Sequence, residues 1–438
     1  MNHMDGYKNA VLGAGTKYRD PFTHFFYAPD RIMTDQVCSA IYTGSGLAQR
    51  IITAPADEAV KNGFRIVSGE EEVEDTSRIL SIFEDLEGEA RFSEALSWDR
   101  LYGGCAMLIV ANDGSESLSE ELREGSLKNI ERLIVYEAPN ITTSDTLRYG
   151  DPRDPKYGLP EFYNIQTFSG NIITVHESRL IVFSGGLLPE QQRRERNGWG
   201  AKVLEKIFDD MVRYDESLSL ALMALSRLSQ GILKLDGLAE LLSFENGEET
   251  VKQRLQLIDM SRHMMNTIAI DSSDEYDQKN LALSGVKDIM EEFQSALSAV
   301  TEIPVTVLFG RSPGGLNSTG KADFENYYNL VQRIQRRTLK QRISRLVDLL
   351  GKCSDYRIRL PDEWTVEFPP LWSPTAKEDA ETKNILAQAE KNKADARIAL
   401  VNSGALDSIE LRDKLEEEGE YKLDRSLDKD AGSGGEEE

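Results

Sequence analysis

Residue types able to do chemistry are densest between Gly310 and Lys321, in the stretch GRSPGGLNSTGK. Gly315-Leu-Asn-Ser-Thr-Gly320-Lys321 fits the first seven positions of a P-loop, whose backbone N–H groups cradle phosphates while the lysine reaches the outer ones. The next position is Ala322, where that motif needs a hydroxyl to hold Mg²⁺. The apolar run Val305–Phe309 stops well short of Gly315, whereas a P-loop follows its strand directly, and Leu346-Val347-Asp348 falls inside a helical pattern. The stretch therefore reads as a glycine-rich hinge before a capped helix, with an NTPase built on Gly315–Lys321 as the alternative. Cys38, Cys105 and Cys353 form no CxxC pair, and His3, His24, His176 and His263 stand alone. No disulfide framework, metal site or cofactor is expected, and a reducing setting fits. Cys105 follows Gly103-Gly104 without a histidine at a recognisable spacing, so it reads as a buried strand residue and not as a nucleophile.

The hinge must be held by what flanks it. Asn317, Ser318 and Thr319 can each cap a helix, and Asp323 and Glu325 suit its first turn. Tyr327, Val331, Ile334, Leu339, Ile343, Val347 and Leu350 then recur at close to helical spacing up to Gly351. A helix of about 33 residues would be roughly 50 Å long. That suits an element crossing the layers of an assembly, with a kink. Two further helices precede the hinge. Val203, Ile207, Met211, Tyr214, Leu218, Leu222 and Leu225 trace one, and Val286–Thr301 the other. Between them Gly231–Gly237, a helix around Val251–Met260 and Thr267–Gly285 form a small α/β insertion.

Upstream, Leu47–Asn62 is helical but must kink or break at Pro55, and Glu70–Asp99 is an acidic amphipathic region burying Ile79, Ile82, Phe83 and Leu86. Leu101–Val110, Glu131–Thr142, Pro160–Thr167 and Asn171–Gly186 are strand-like runs bounded by turn residues. Downstream, Arg357–Trp372 alternates like a pair of strands, followed by helices over Pro374–Leu400 and Ser408–Glu418. The 438 residues allow two or three domains or one elongated subunit. A net charge of −24 argues against a general nucleic-acid binder, though not against a protein that surrounds DNA without gripping it. The start has no apolar signal region, and Leu218–Leu228 is too short for a membrane span and contains Arg227.

The order of elements, with the particular runs VHESRLIVFSGGLLP, NGWGAKVLEKIFDDM, EIPVTVLFGRSPGGLNSTGKADFENYYN, PPLWSPTAKEDAE and NSGALDSIELRDKL, resembles the portal proteins of tailed bacteriophages. The likeness is to a subfamily formerly catalogued as a domain of unknown function, and it covers most of Leu47–Leu423. The resemblance implies an α+β portal fold. Its parts would be an N-terminal arm (1–46), a wing (47–200), stem helix 1 (201–227), a clip (228–284) and stem helix 2 (285–302). A tunnel loop (303–318), a long helix with a wing return (319–371), crown helices (372–425) and an acidic disordered tail (426–438) would follow.

It also implies a homo-oligomeric ring of twelve subunits at one capsid vertex of the virion, assembled in the host bacterial cytoplasm. Double-stranded DNA would pass through the channel during packaging and ejection. The implied partners are the terminase large subunit, major capsid and scaffolding proteins and head–tail connector proteins, with no membrane and no catalytic role. A generic head–tail connector is a second alternative.

In this scheme Gly310, Arg311, Ser312, Pro313, Gly314, Gly315, Leu316 and Asn317 face the DNA, and Arg311 and Lys321 contact phosphates or pair with the adjacent subunit. The acidic chain should on balance repel its cargo and let it slide. Val331–Lys352 holds the one basic stripe, in which Arg333, Arg336, Arg337 and Lys340 share a helix face. Acidic helices of the same or a neighbouring subunit are the expected partners of that stripe, with DNA as the other reading.

Overall fold

The computed structural model describes residues 33–403 except 70, 144–147, 228, 235–248, 250, 254–255, 257–274, 281–285, 311–320 and 373–375. The chain divides into two units, residues 1–369 and 370–438. The first is organised on two packed helices, α2 (Gly46–Val60) and α4 (Gly88–Tyr102). Ahead of them, α1 (Asp35–Gly44) occupies part of the segment expected to be an irregular arm. The Thr34 side chain caps it by accepting from the Val37 N–H, and Asp35 sits in its first turn.

Pro55 lies inside α2 without breaking it. Proline removes the N–H that would bond the Ile51 carbonyl. Arg100 of α4 supplies the missing donor, its Nη2 reaching the Ile51 carbonyl at 2.9 Å and its Nε the Ile52 carbonyl at 3.1 Å. The acidic region contains α3 (Thr76–Asp85) as well as α4. Ile79, Phe83 and Leu86 are buried as the spacing predicts, and Ile82 is half-buried. Phe64, Phe83, Phe92 and Phe183 continue the core as ring pairs 5.1, 5.7 and 6.3 Å apart.

Three three-stranded antiparallel sheets accompany these helices. The chain leaves α4 at Gly103, whose φ of +80° ends the helix, and enters β3 (Cys105–Asn112). β3 is the centre of a sheet flanked by β4 (Asn129–Glu137) and β8 (Leu180–Phe183). Residues 105–109 are wholly buried there, as a continuous apolar run requires. A second sheet orders β5 (Ile141–Thr143), β6 (Phe162–Gln166) and β7 (Ile172–His176) consecutively. In the third, β1 (Arg65–Ser68) lies between β2 (Glu71–Glu72) and β11 (Thr365–Glu367). The strand pair expected over 357–372 is thus one short strand, and its partner is β1, in the register Ile66↔Val366. Arg357 has a left-handed φ of 51° and Pro361 lacks an N–H, so the first half of that run cannot enter a ladder.

After α5 (Glu190–Glu195) comes the long α6 (Val203–Arg227), then the antiparallel pair β9 (Ser229–Lys234) and β10 (Glu275–Asn280), then α7 (Val286–Thr301) packed on α6. The helix expected around Val251–Met260 lies mostly outside the described residues. Val305–Phe309, assigned from sequence to a loop, is a short helix, α8, begun at Pro304 and closed by Gly310 in the left-handed region. The anticipated long helix is present as α9 (Lys321–Ile334), a π-helical segment (Gln335–Leu339) and α10 (Lys340–Lys352). The expected kink takes the form of that π segment, where the hydrogen-bond ladder changes step. In the second unit, α11 spans Ala376–Asn402. The helix expected over Ser408–Glu418 and the tail lie outside the described residues.

Candidate functional site

The frame of the glycine-rich hinge is tightly built. Ile303, Leu308 and Leu297 of α7 are buried, and the Ser298 hydroxyl donates to the Ile303 carbonyl at 2.7 Å. Arg50 Nε donates to the Val307 carbonyl at 2.9 Å, and Tyr214 of α6 meets Phe309 with ring centres 5.5 Å apart. Thr306 Oγ1 reaches the Asp323 carboxylate at 3.4 Å, tying α8 to the first turn of α9. Both ends of the hinge are therefore fixed by the same packing.

Gly310 is exposed, with φ +67° and open space where a Cβ would stand, so backbone conformation alone calls for glycine there. Arg311, Ser312, Pro313, Gly314, Gly315, Leu316 and Asn317 lie outside the described residues, as does the side chain of Lys321. The element ahead of Gly315–Lys321 is helix α8, whereas a phosphate-cradling P-loop leaves a strand.

The basic stripe of the long helix splits in two. Four of its cations engage this same chain. Arg333 pairs with Glu302, which holds a left-handed φ of 58° at the end of α7. Arg342 donates from Nε to the Val182 carbonyl at 2.9 Å and from Nη1 to the Thr338 carbonyl at 2.7 Å, and lies 4.7 Å above the Phe183 ring. Arg345 and Lys352 both reach Glu124 at 2.7 Å and share Asp348. Arg336 and Arg337, on the π segment, are exposed, and Lys340 is half-buried. These three have no ion pair among the described residues. The π segment itself is anchored by Gln335, whose buried amide donates to the Ala59 carbonyl at the end of α2 at 2.9 Å.

Sequence reasoning missed the joint where α6 leaves the sheets. Gly103-Gly104, Gly185-Gly186 and Trp199-Gly200 are far apart in sequence and meet there. The Gly200 N–H donates to the Gly103 carbonyl at 2.7 Å, and the backbones of Gly186 and Ala201 bridge. A Cβ on Gly200 would stand 2.2 Å from the Ser184 carbonyl, one on Gly185 2.2 Å from the Gly103 carbonyl, and one on Gly104 2.1 Å from the Trp199 ring. Beside the joint, the Asp99 carboxylate accepts from the Gly185 N–H at 2.5 Å. Burial pushes its carboxyl up to about 6, against the opposing pull of the Arg342 charge and of that N–H. On the far side Lys202 binds the Met33 carbonyl and Asp35, both at 2.7 Å, and Arg196 makes a two-pronged pair with Glu205. The three glycine-bearing pairs were visible as punctuation, but nothing local says that they touch.

Several other buried titratable groups have structural partners or are held neutral by burial. The fully buried Arg179–Asp113 pair, 2.7 Å long, is completed by the Ser115 hydroxyl and the Glu120 carbonyl. His176 is buried and shares a 2.8 Å hydrogen bond with Ser178. All three cysteines are buried, and burial holds their thiols up, Cys38 to about 11, Cys353 to about 12 and Cys105 well above the ordinary value. At neutral pH such thiols are protonated. Among the described residues no His/Cys/Asp/Glu group could hold a metal ion, and no helix is long and apolar enough to cross a membrane.

Comparisons with known proteins place this architecture. An uncharacterised protein of Haemophilus influenzae is 26% identical over 421 residues, covering 96% of this chain and 91% of that protein. A Caulobacter protein named anti-CBASS protein Acb1 is 23% identical over 409 residues, and the match spans 91% of this chain but only 64% of the relative. Among solved structures, a chain from the neck of an empty GTA particle computed with C6 symmetry shares the fold, with a TM-score of 0.50 and 11% identity over 81% of this chain and 89% of that one. Residues 36–392 match the family described as "Phage portal protein". The match runs from α1 to within α11 and takes in the joint, the hinge and the long helix, so the chain belongs to the phage portal protein family.

Proposed function

We propose that this chain is the subunit of a closed ring at one vertex of a phage-type capsid, through whose channel double-stranded DNA is packaged and ejected. The observation that carries the reading is on α6. Leu204, Ile207 and Met211 form one stripe and are buried in the subunit, yet the same stripe continues into Leu218 and Leu222, which are exposed, Leu222 by 65%. Ile289 and Val300 of α7 are 57% and 45% exposed. A helix face that is apolar along its length and covered for half of it requires a neighbour, and repeated head-to-tail contact closes a ring. The family match and the C6 symmetry of the GTA neck support the same arrangement. The anti-CBASS name stays with the relatives that carry it, about a third of the Caulobacter protein's length lying beyond the match.

Within the ring, α6 and α7 serve as stem helices, β9 and β10 belong to a clip, the sheets with α2–α4 form a wing, and α11 belongs to a crown. Gly310–Asn317 is the DNA-facing tunnel loop, with Arg311 and Lys321 beside the phosphates or against the adjacent subunit. The terminase large subunit, capsid and scaffolding proteins and head–tail connectors are the partners that such a ring would meet. The loop reading is tested by deleting Ser312–Leu316, or by replacing Gly314 and Gly315 with valine. Because the frame around the hinge is held independently by Ile303, Leu308, Arg50 and Thr306, ring formation seen by electron microscopy should be unchanged. Nuclease-protected genome in assembled particles should fall. Loss of rings would make the loop structural, and normal packaging would make it a passive linker.

A further inference from the structure

Arg336, Arg337 and Lys340 are the cations of the long helix that this chain leaves without an ion pair among the described residues, and two of them sit on the outside of a π segment. The chain also carries a matching surface. Glu71 and Glu72 of β2, Glu74 before α3, Glu84 and Asp85 at its end and Glu89 in the first turn of α4 are all exposed. None of these six forms an ion pair among the described residues either. The two surfaces belong to one unit but ride on different elements, the π segment packing on α2 through Gln335 and α3 packing on α4.

We propose that the Arg336/Arg337/Lys340 surface of one subunit docks on the β2–α3 acidic surface of the next copy of this chain. The proposal rests on the ring reading above, and it names which faces meet. Two unlike patches that meet only once between neighbours form a heterologous contact, the kind that propagates around a ring, whereas reciprocal pairing of the same two patches gives a two-fold dimer that stops there. An excess of six carboxylates over three cations leaves each contact acidic, in keeping with a chain of net charge −24. Exposed ion pairs contribute little singly, so this contact sets register and partner choice while the apolar stripe of α6 and α7 supplies affinity.

The test uses the full chain and site-directed cross-linking. The native cysteines are all buried, so a short bismaleimide reacts at introduced sites. Arg337→Cys combined with Glu84→Cys in one chain should give a ladder of covalent oligomers. Either substitution alone should give none, and an equimolar mixture of the two single variants should stop at dimers. In parallel, R336E/R337E should raise the concentration needed for ring formation about tenfold, and adding E84K/D85K should restore most of it. Both sets of positions are exposed, so unchanged melting temperatures confirm that folding is intact. Rings by microscopy without a ladder, or charge reversal without effect, would overturn this pairing and leave the ring reading standing. Cross-linking by Arg337→Cys alone would overturn it in favour of a two-fold contact. Absence of rings in the unmodified protein would remove both.

Discussion

The joint at Gly103, Gly185 and Gly200 and the outer half of the α6–α7 pair bury their residues by opposite means. At the joint, backbones approach so closely that no Cβ fits, and Asp99 is held by the Gly185 N–H with the Arg342 charge nearby. Along α6 the apolar stripe runs from buried Met211 to exposed Leu222, and Ile289 and Val300 of α7 are exposed as well. On the proposed ring reading, one region is complete within the subunit and the other is completed by a neighbour. Stability of the isolated protein and competence to assemble should therefore be separable by mutation.

The largest effect is expected where the joint leaves no room. Gly200→Val places a branched side chain against the Ser184 and Gly186 carbonyls, and a clash with backbone cannot be relieved by a rotamer change. The expected outcome is loss of soluble folded protein, a cost of at least about 3 kcal/mol, read by expression yield and circular dichroism. A variant that folds and melts normally would break the distinction between the two regions.

A smaller effect sharpens it through pH. The Asp99 carboxyl sits at about 6 in the folded protein against 3.8 ordinarily. Between those values the unfolded chain gives up the proton that the folded one keeps, so stability falls as pH rises through this window, by about 3 kcal/mol, and levels off above it. Asp113 works in the other direction. Although burial opposes its ionisation, hydrogen bonds from Arg123, Ser115 and Arg179 hold its carboxyl far below the ordinary value, so its contribution is lost as pH falls below about 4. Asp99→Asn should therefore gain stability relative to the unmodified protein as pH rises from about 4 to about 6, measured by thermal melts across that range. A pH-independent difference would contradict this account of the joint.

The smallest concerns Pro55. Arg100 compensates a carbonyl that Pro55 orphans, so restoring the N–H with Pro55→Ala should reduce what Arg100→Met costs. A double-mutant cycle in denaturant should return a coupling of about 1 kcal/mol. Additive costs would show that Arg100 stabilises the body by packing alone.

Periodicity made the long elements legible. The spacings from Val203 to Leu225 and from Val286 to Thr301 gave α6 and α7, and the buried run after Gly104 gave β3, because burial of one helix face or one strand writes itself into neighbouring residues. Short elements held by distant partners were not legible. α1 depends on a cap at Thr34 and on Lys202, which lies 167 residues beyond Asp35. β11 depends on β1 across 302 residues, as in the Arg65–Glu367 pair. The run of Lys and Arg along the long helix was legible, but which of these cations its own chain would claim depended on Glu302, Glu124 and Val182. No local pattern reports those partners, and the glycine joint was hidden for the same reason.

The ring itself is tested most directly by electron microscopy of the purified full-length protein at high concentration, beside the Leu222→Ser/Ile289→Ser variant. The account predicts closed rings with a central channel wide enough for duplex DNA in the unmodified protein. In the variant it predicts single subunits with a melting transition within about 0.5 kcal/mol of a monomeric control, because both positions are exposed in the isolated chain. An unmodified protein that stays monomeric across salt and concentration, or a variant that assembles as well as the parent, would contradict it.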